Sequence, residues 1–159
     1  MSGLDQARFR EVLGHFATGI TIVTALEEGQ PVGFSCQSFA ALSLDPPMVV
    51  LAPARTSTSW PRIRAAGAFC VNILSEHQEA VCRAFAISGG NKFAGIGWRP
   101  GITGAPMIDG SLAVVECELG EIFEGGDHEI VTGLVVGLEV GESGGPLLFY
   151  RGGFGRFVS

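Results

Sequence analysis

Ile130-Val131-Thr132-Gly133-Leu134-Val135-Val136-Gly137-Leu138-Glu139-Val140 is the stretch from which the fold can be read. Ile130, Thr132, Leu134, Val136, Leu138 and Val140 fall on one side, and Glu129, Gly133, Gly137 and Glu139 on the other. A period of two over this length is a long β-strand, because successive side chains of extended backbone point to opposite faces. Upstream, Leu112 to Leu119 repeats the pattern: Ala113, Val115, Cys117 and Leu119 share one face, while Glu116 and Glu118 are expected on a solvated one. Between them Phe123-Glu124-Gly125-Gly126-Asp127-His128 reads as a glycine-rich hairpin connection.

Working outward, further strands are expected at Ile20–Thr24, which is β-branched throughout, at Val32–Phe34, Phe39–Ser43, Met48–Ala52, Phe69–Leu74, Pro146–Tyr150 and Phe154–Phe157. Met48-Val49-Val50-Leu51-Ala52 is apolar on both faces, as a strand covered on two sides must be. Three short helices interrupt the series. Phe9, Val12, Leu13 and Phe16 recur at i, i+3, i+4 and i+7. A second helix follows Ser57-Thr58-Ser59, with Pro61 near its start and Gly67 at its end. A third follows Ser75-Glu76-His77-Gln78, which has the form of a capping box. The 24 glycines and 8 prolines punctuate the chain at short intervals without any linker or repeat. The expected architecture is mainly β, an antiparallel barrel, closed or split, with a few peripheral α-helices, in one domain over residues 1–159.

Charged residues make up 16% of the chain, against roughly 25% in an average soluble domain. A surface so poor in charge implies an apolar face hidden in an oligomer, most simply a homodimer. The net charge is −6 and no basic patch is present, which argues against nucleic acid and membrane surfaces as partners. No apolar run approaches the ~18 residues of a membrane span. Met1-Ser2-Gly3-Leu4-Asp5 lacks the features of a signal peptide, so a cytoplasmic location is expected. Cys36, Cys70, Cys82 and Cys117 then read as reduced thiols, and with His15, His77 and His128 they show no metal-ligand spacing.

The chemistry must come from elsewhere. The chain has no G-x-G-x-x-G, no phosphate-binding G-x-x-x-x-G-K-[ST] and no G-x-S-x-G elbow. What stands out is polar sequence interrupting apolar strands. Ser35-Cys36-Gln37-Ser38, between Phe34 and Phe39, is either a bulge whose hydroxyls satisfy their own backbone or the lining of a pocket. Arg55-Thr56-Ser57-Thr58-Ser59 gathers a guanidinium and four hydroxyls before a helix, which suits an anion or plain capping. Lys92 is able to reach the same anion, and His128 stands at the mouth of the long hairpin.

Taken in order, His15-Phe16-Ala17-Thr18-Gly19-Ile20-Thr21-Ile22-Val23-Thr24, Gly33-Phe34-Ser35-Cys36-Gln37-Ser38-Phe39 and Ser43-Leu44-Asp45-Pro46-Pro47 resemble the short-chain flavin reductases, the reductase components of two-component flavin-dependent monooxygenases. Phe69-Cys70-Val71-Asn72-Ile73-Leu74, Lys92-Phe93, Gly104-Ala105-Pro106, Gly126-Asp127-His128 and Pro146-Leu147-Leu148-Phe149-Tyr150-Arg151-Gly152 extend the likeness over nearly the whole chain. Within the family it looks closest to reductases serving hydroxylases of aromatic and steroid catabolism. The resemblance implies an FMN-binding split barrel, a homodimer, FMN or FAD as flavin, and NADH or NADPH as hydride donor. By the same resemblance Ser35, Cys36, Gln37 and Ser38 lie along the isoalloxazine, with Ser38 near its reactive edge. Ala52, Pro53, Arg55, Thr56, Ser57, Thr58 and Ser59 meet the ribityl and phosphate, and Lys92 and Phe93 complete the flavin pocket. His128 packs by the nicotinamide, with Tyr150, Arg151, Gly152 and Gly153 nearby. Cys36-Gln37 stands where the family commonly has Val/Ala-Asn, so contacts there fall to the backbone. Hydride transfer between stacked rings needs no strong general base, and none is apparent. The rival readings are a pyridoxamine-phosphate-oxidase-like enzyme, which wants a more basic pocket, and a non-catalytic flavin- or haem-binding protein, in which His128 is a ligand.

Overall fold

The computed structural model describes residues 3–159. Its three helices and twelve strands run α1 (Gln6–Leu13), β1 (Thr18–Gly19), β2 (Thr21–Glu27), β3 (Gln30–Cys36), β4 (Phe39–Leu44), β5 (Pro47–Leu51), α2 (Trp60–Ala66), β6 (Ala68–Ile73), α3 (Glu79–Ala86), β7 (Trp98–Pro100), β8 (Pro106–Ile108), β9 (Ala113–Gly125), β10 (His128–Val140), β11 (Leu147–Tyr150) and β12 (Gly153–Arg156). Seven strands form one antiparallel sheet in the order β3-β2-β6-β9-β10-β5-β4. Its two edges, β3 and β4, are consecutive in the chain and separated only by Gln37 and Ser38. Three Cα steps reach about 11 Å at most, so the sheet must curl until its edges meet without pairing. That is a split barrel, and Ser35–Ser38 lies on its seam.

The interior follows from the strand patterns. Val23, Ala25, Val49, Leu51, Phe69, Val71, Val115, Cys117 and Val131 fill the barrel, and Trp60 and Ile63 of α2 pack into the same cluster. Ile20, Ile22, Leu74, Cys82, Phe85 and Phe93 form a second core outside the wall, shared with α3 and the small β1-β11-β12 sheet. β2 is therefore apolar on both faces, and its residues Thr21–Ala25 are all buried. Gly33 permits this layering: a Cβ there would stand 2.9 Å from the Phe85 ring and 3.0 Å from the Val23 carbonyl.

Several expectations change in three dimensions. The long hairpin is longer than its pattern suggested: β9 and β10 have 13 residues each and are joined by Gly126-Asp127 alone. Glu116 is not on a solvated face. It is 5% exposed and accepts from Ile102 N (3.1 Å), Thr103 N (3.0 Å) and Thr103 Oγ1 (2.8 Å). The β7–β8 hairpin, for which the sequence carried no evident strand pattern, folds over β9 there and needs a buried acceptor for its turn amides. The apolar side of β10 also faces outward: Leu138 and Val140 are 75% and 87% exposed, while Val131 is buried. Phe9, Val12, Leu13 and Phe16 around α1 are likewise more than half exposed. Of the capping box, Gln78 Oε1 does accept from Ser75 N (2.8 Å), but α3 begins only at Glu79. Ser57 Oγ accepts from Trp60 N (3.1 Å), so this serine, rather than Ser59 at the N-cap position, caps α2. All four cysteines are free and buried, and no cluster able to hold a metal occurs among the described residues. Among the described residues no helix is long and apolar enough to cross a membrane.

Candidate functional site

The seam loop divides its four side chains. Ser35 Oγ faces Cys82 Sγ of α3 at 3.5 Å, on the outer side of β3. Cys36 turns into the barrel core, where burial pushes its thiol pKa up; it remains a neutral thiol 3.3 Å from Ser38 Oγ. Gln37 Oε1 accepts from Thr18 Oγ1 (3.2 Å), which ties the seam to β1. Ser38 Oγ donates to Ala52 O (2.9 Å) and accepts from Ala52 N (3.1 Å), so it locks the seam to the end of β5, and its second acceptor site faces the Cys36 thiol. Beside these residues opens a cleft of about 570 Å³, lined by Phe16, Thr18, Gln37, Ser38, Phe39 and Ile73 among others. Mostly apolar walls with a few fixed polar groups suit a flat aromatic ligand.

From Ala52 the chain continues directly into the next part. Beyond the end of β5, residues Pro53–Arg55 run along the start of β10: Glu129 N donates to Pro53 O (2.9 Å), Ala54 bridges His128, and Arg55 N donates to Asp127 O (2.9 Å). His128 Nδ1 lies 2.7 Å from Asp127 Oδ1, and the imidazole holds that carboxyl below its usual range. The Arg55 guanidinium is engaged by Gly126 O, Glu124 and, at 3.7 Å, Glu129. It anchors the hairpin and is not free to meet an anion. Thr56 and Thr58 are exposed and form no side-chain hydrogen bonds among the described residues.

A second cleft of about 340 Å³ lies across β3, lined by Gly33, Thr58, Ser59, Arg62, Asn91 and Lys92 among others. Lys92, the chain's only lysine, donates to Gly33 O (3.2 Å), Ser59 Oγ (3.3 Å) and Phe85 O (3.3 Å). Its three donors are met by neutral oxygens and no carboxylate pairs with it among the described residues, so its charge is held but not neutralised. Desolvation lowers its pKa accordingly. The chemistry of this donor set, an ammonium and hydroxyls in a half-enclosed cleft, fits a phosphate. Phe93 is buried against Phe85 and Trp98, so it supports the cleft from behind.

The structure thus joins the seam loop, Ala52–Arg55 and His128 through continuous contacts, and sets Lys92 on Ser59. Tyr150–Gly153 follows β11, whose Phe149 pairs with Thr18 beside the seam; there the Tyr150 ring meets His15 edge-on at 6.3 Å, and Arg151 N donates to Gly14 O (2.9 Å). Among the described residues His128 makes no hydrogen bond or ring contact with that turn. Thr18, Phe39, Glu124 and Glu129 belong to the site region without having been singled out. Only tertiary pairing identifies them, since Phe39 and Glu129 read locally as ordinary strand residues, Glu124 as part of a hairpin connection, and Thr18 as a residue just ahead of a strand.

Comparison with known proteins identifies the family. Residues 13–157 match the flavin reductase like domain family. The reductase subunit HsaB of a flavin-dependent monooxygenase from Rhodococcus jostii is 50% identical over 149 residues, covering 94% of this chain and 76% of the relative. The crystal structure of nitrilotriacetate monooxygenase component B from Mycobacterium thermoresistibile superposes with a TM-score of 0.95 at 52% identity, covering 97% of this chain and 87% of that one. The NADH:FAD oxidoreductase SgcE6 of Streptomyces globisporus, solved in complex with NAD and FAD fragments, superposes with a TM-score of 0.91 at 35% identity, covering 97% of this chain and 93% of that one.

Proposed function

The chain belongs to the flavin reductase like domain family, and on that premise we propose that it is an NAD(P)H-dependent flavin reductase, reducing FMN or FAD and supplying the reduced flavin to a partner monooxygenase. The observation that carries this reading is the unbroken run of contacts from the seam loop through Ala52–Arg55 to His128. It links Ser38, on the wall of the apolar cleft, to the backbone at His128, which supports a reading in which two rings meet between them. When both nucleotides are bound, the chemistry they supply is transfer of a hydride from nicotinamide C4 to flavin N5.

The protein's part is placement. Gln37, held by Thr18, and Ser38, held by Ala52, fix the wall against which the isoalloxazine lies. Ala52, Pro53 and Thr56–Ser59 run toward the phosphate, with Lys92 as the charge that meets it. Arg55 contributes by holding the hairpin. His128 flanks the nicotinamide, and Tyr150, Arg151, Gly152 and Gly153 close the far side. Cys36 stays a neutral thiol and takes no covalent role. Clefts this open suit a flavin that leaves after reduction rather than one held permanently.

The reading is tested by following NADH and NADPH oxidation with FMN, with FAD and without flavin. Flavin-dependent turnover is expected; none with any combination rejects the reading. In that assay His128→Ala is expected to raise the KM for NADH roughly 5- to 10-fold, about 1 kcal/mol, and to leave that for flavin within about twofold. A larger effect on flavin removes His128 from the nicotinamide side.

The protein is proposed to act as a single domain in the cytoplasm, consistent with four free thiols, and as a homodimer. The exposed apolar side of β10 and the apolar residues around α1 support the dimer, because large apolar areas on a chain with 16% charged residues favour self-association. Light scattering after size exclusion is expected to give twice the monomer mass; a monomer at micromolar concentration refutes it.

A further inference from the structure

We infer that Glu129 is a positioning residue that holds the phosphate-side loop and His128 in one frame; this rests on the flavin reductase reading above. Glu129 follows His128 directly, and its backbone N–H donates to Pro53 O at 2.9 Å. Its carboxylate, 17% exposed, accepts from the Trp60 indole Nε1–H at 3.0 Å and meets Arg64 at 3.5 Å and Arg55 at 3.7 Å. Arg55 begins the Arg55–Ser59 loop and Trp60 is the first residue of α2 after it. One side chain therefore grips both ends of that loop, while its own backbone places the adjacent imidazole.

Trp60 is 3% exposed and sits in the barrel core cluster, so its indole N–H cannot turn to water when the acceptor is lost. The two guanidiniums would then share a corner without the anion between them, and relaxation would spread into the loop on one side and His128 on the other. A residue acting only on global stability lowers the folded fraction and leaves both Michaelis constants where they were. A residue that sets the frame moves both together.

The test uses the full chain in the NADH oxidation assay. Glu129→Ala is expected to raise the KM for flavin and the KM for NADH in parallel, each about 3- to 10-fold, with kcat at saturation within about twofold. Glu129→Gln keeps an acceptor for Trp60 and loses the charge, so a smaller parallel rise is expected, and it decides the question alone if the alanine variant does not fold. A lowered melting temperature with both constants unchanged, or a change in only one of them, overturns the inference. Absence of turnover in the wild-type protein would instead strike the flavin reductase reading, so the two failures are distinct.

Discussion

Lys92→Met is expected to raise the KM for flavin roughly 10- to 100-fold while kcat changes little, the loss of a charge-assisted contact worth about 1.5–3 kcal/mol. The argument starts from the ammonium's surroundings. Gly33 O, Ser59 Oγ and Phe85 O each accept from it at 3.2–3.3 Å, and none carries a negative charge. A half-buried cation held this way gains most when an anion arrives. Desolvation lowers the lysine's pKa, and a bound phosphate raises it again by favouring the charged form. Affinity for flavin is therefore full at pH values below the lowered pKa and falls as pH rises through it. That pH dependence should be present in the wild type and flat in Lys92→Met. Folding is expected to survive: the methionine spares the chain a desolvated charge, and a melting temperature within about 4 °C of wild type corresponds to a change of roughly 1 kcal/mol. An unchanged flavin KM would remove Lys92 from the phosphate site.

Asn72→Ala is expected to destabilise the fold by about 3–4 kcal/mol, a drop in melting temperature of roughly 6–16 °C for a chain of this size. Asn72 has no exposed surface and uses both ends of its amide. Nδ2 donates to Ile22 O (3.0 Å) and Thr24 Oγ1 (3.2 Å), and Oδ1 accepts from Ile108 N (2.8 Å). Thr24 Oγ1 in turn donates to Pro106 O (2.5 Å). The network pins β8 across β2 and β6 where no ladder joins them. Truncation strands the Ile108 amide in a dry interior and opens a void, two penalties that add. Scanning calorimetry or chemical denaturation measures the effect, and a drop of less than about 3 °C would show that β8 is held by packing alone.

Residues 130–140 carried the class of the fold in their alternation, and the hydroxyl-rich stretches Ser35–Ser38 and Arg55–Ser59 marked the candidate site region, because strand period and polar interruptions are local properties of the chain. So was the end of α2 at Gly67, which adopts φ 78°, a left-handed value glycine takes freely. What the pattern of residues 130–140 left open was which side would be covered. Its apolar side points away from the barrel, and the interior instead receives Val131 and Gly133, the latter leaving room for the Phe69 ring. Glu116 was misplaced for the same reason: alternation assigns a face, but only the β7–β8 hairpin folding over β9 decides that this face is dry. The roles within the site were also tertiary decisions. Arg55 and Lys92 look alike as cations in polar loops; one is taken by Glu124 and Glu129, and the other is left with neutral oxygens. Sequence alone determined a barrel of antiparallel strands with polar residues at its joints, since strand-forming and turn-forming tendencies act over a few residues. Which charges neutralise one another, and which one is left among neutral oxygens, was settled mainly by partners 33 to 74 positions apart, with Phe85 the one near neighbour, 7 positions from Lys92; the distant meetings depend on how the sheet curls.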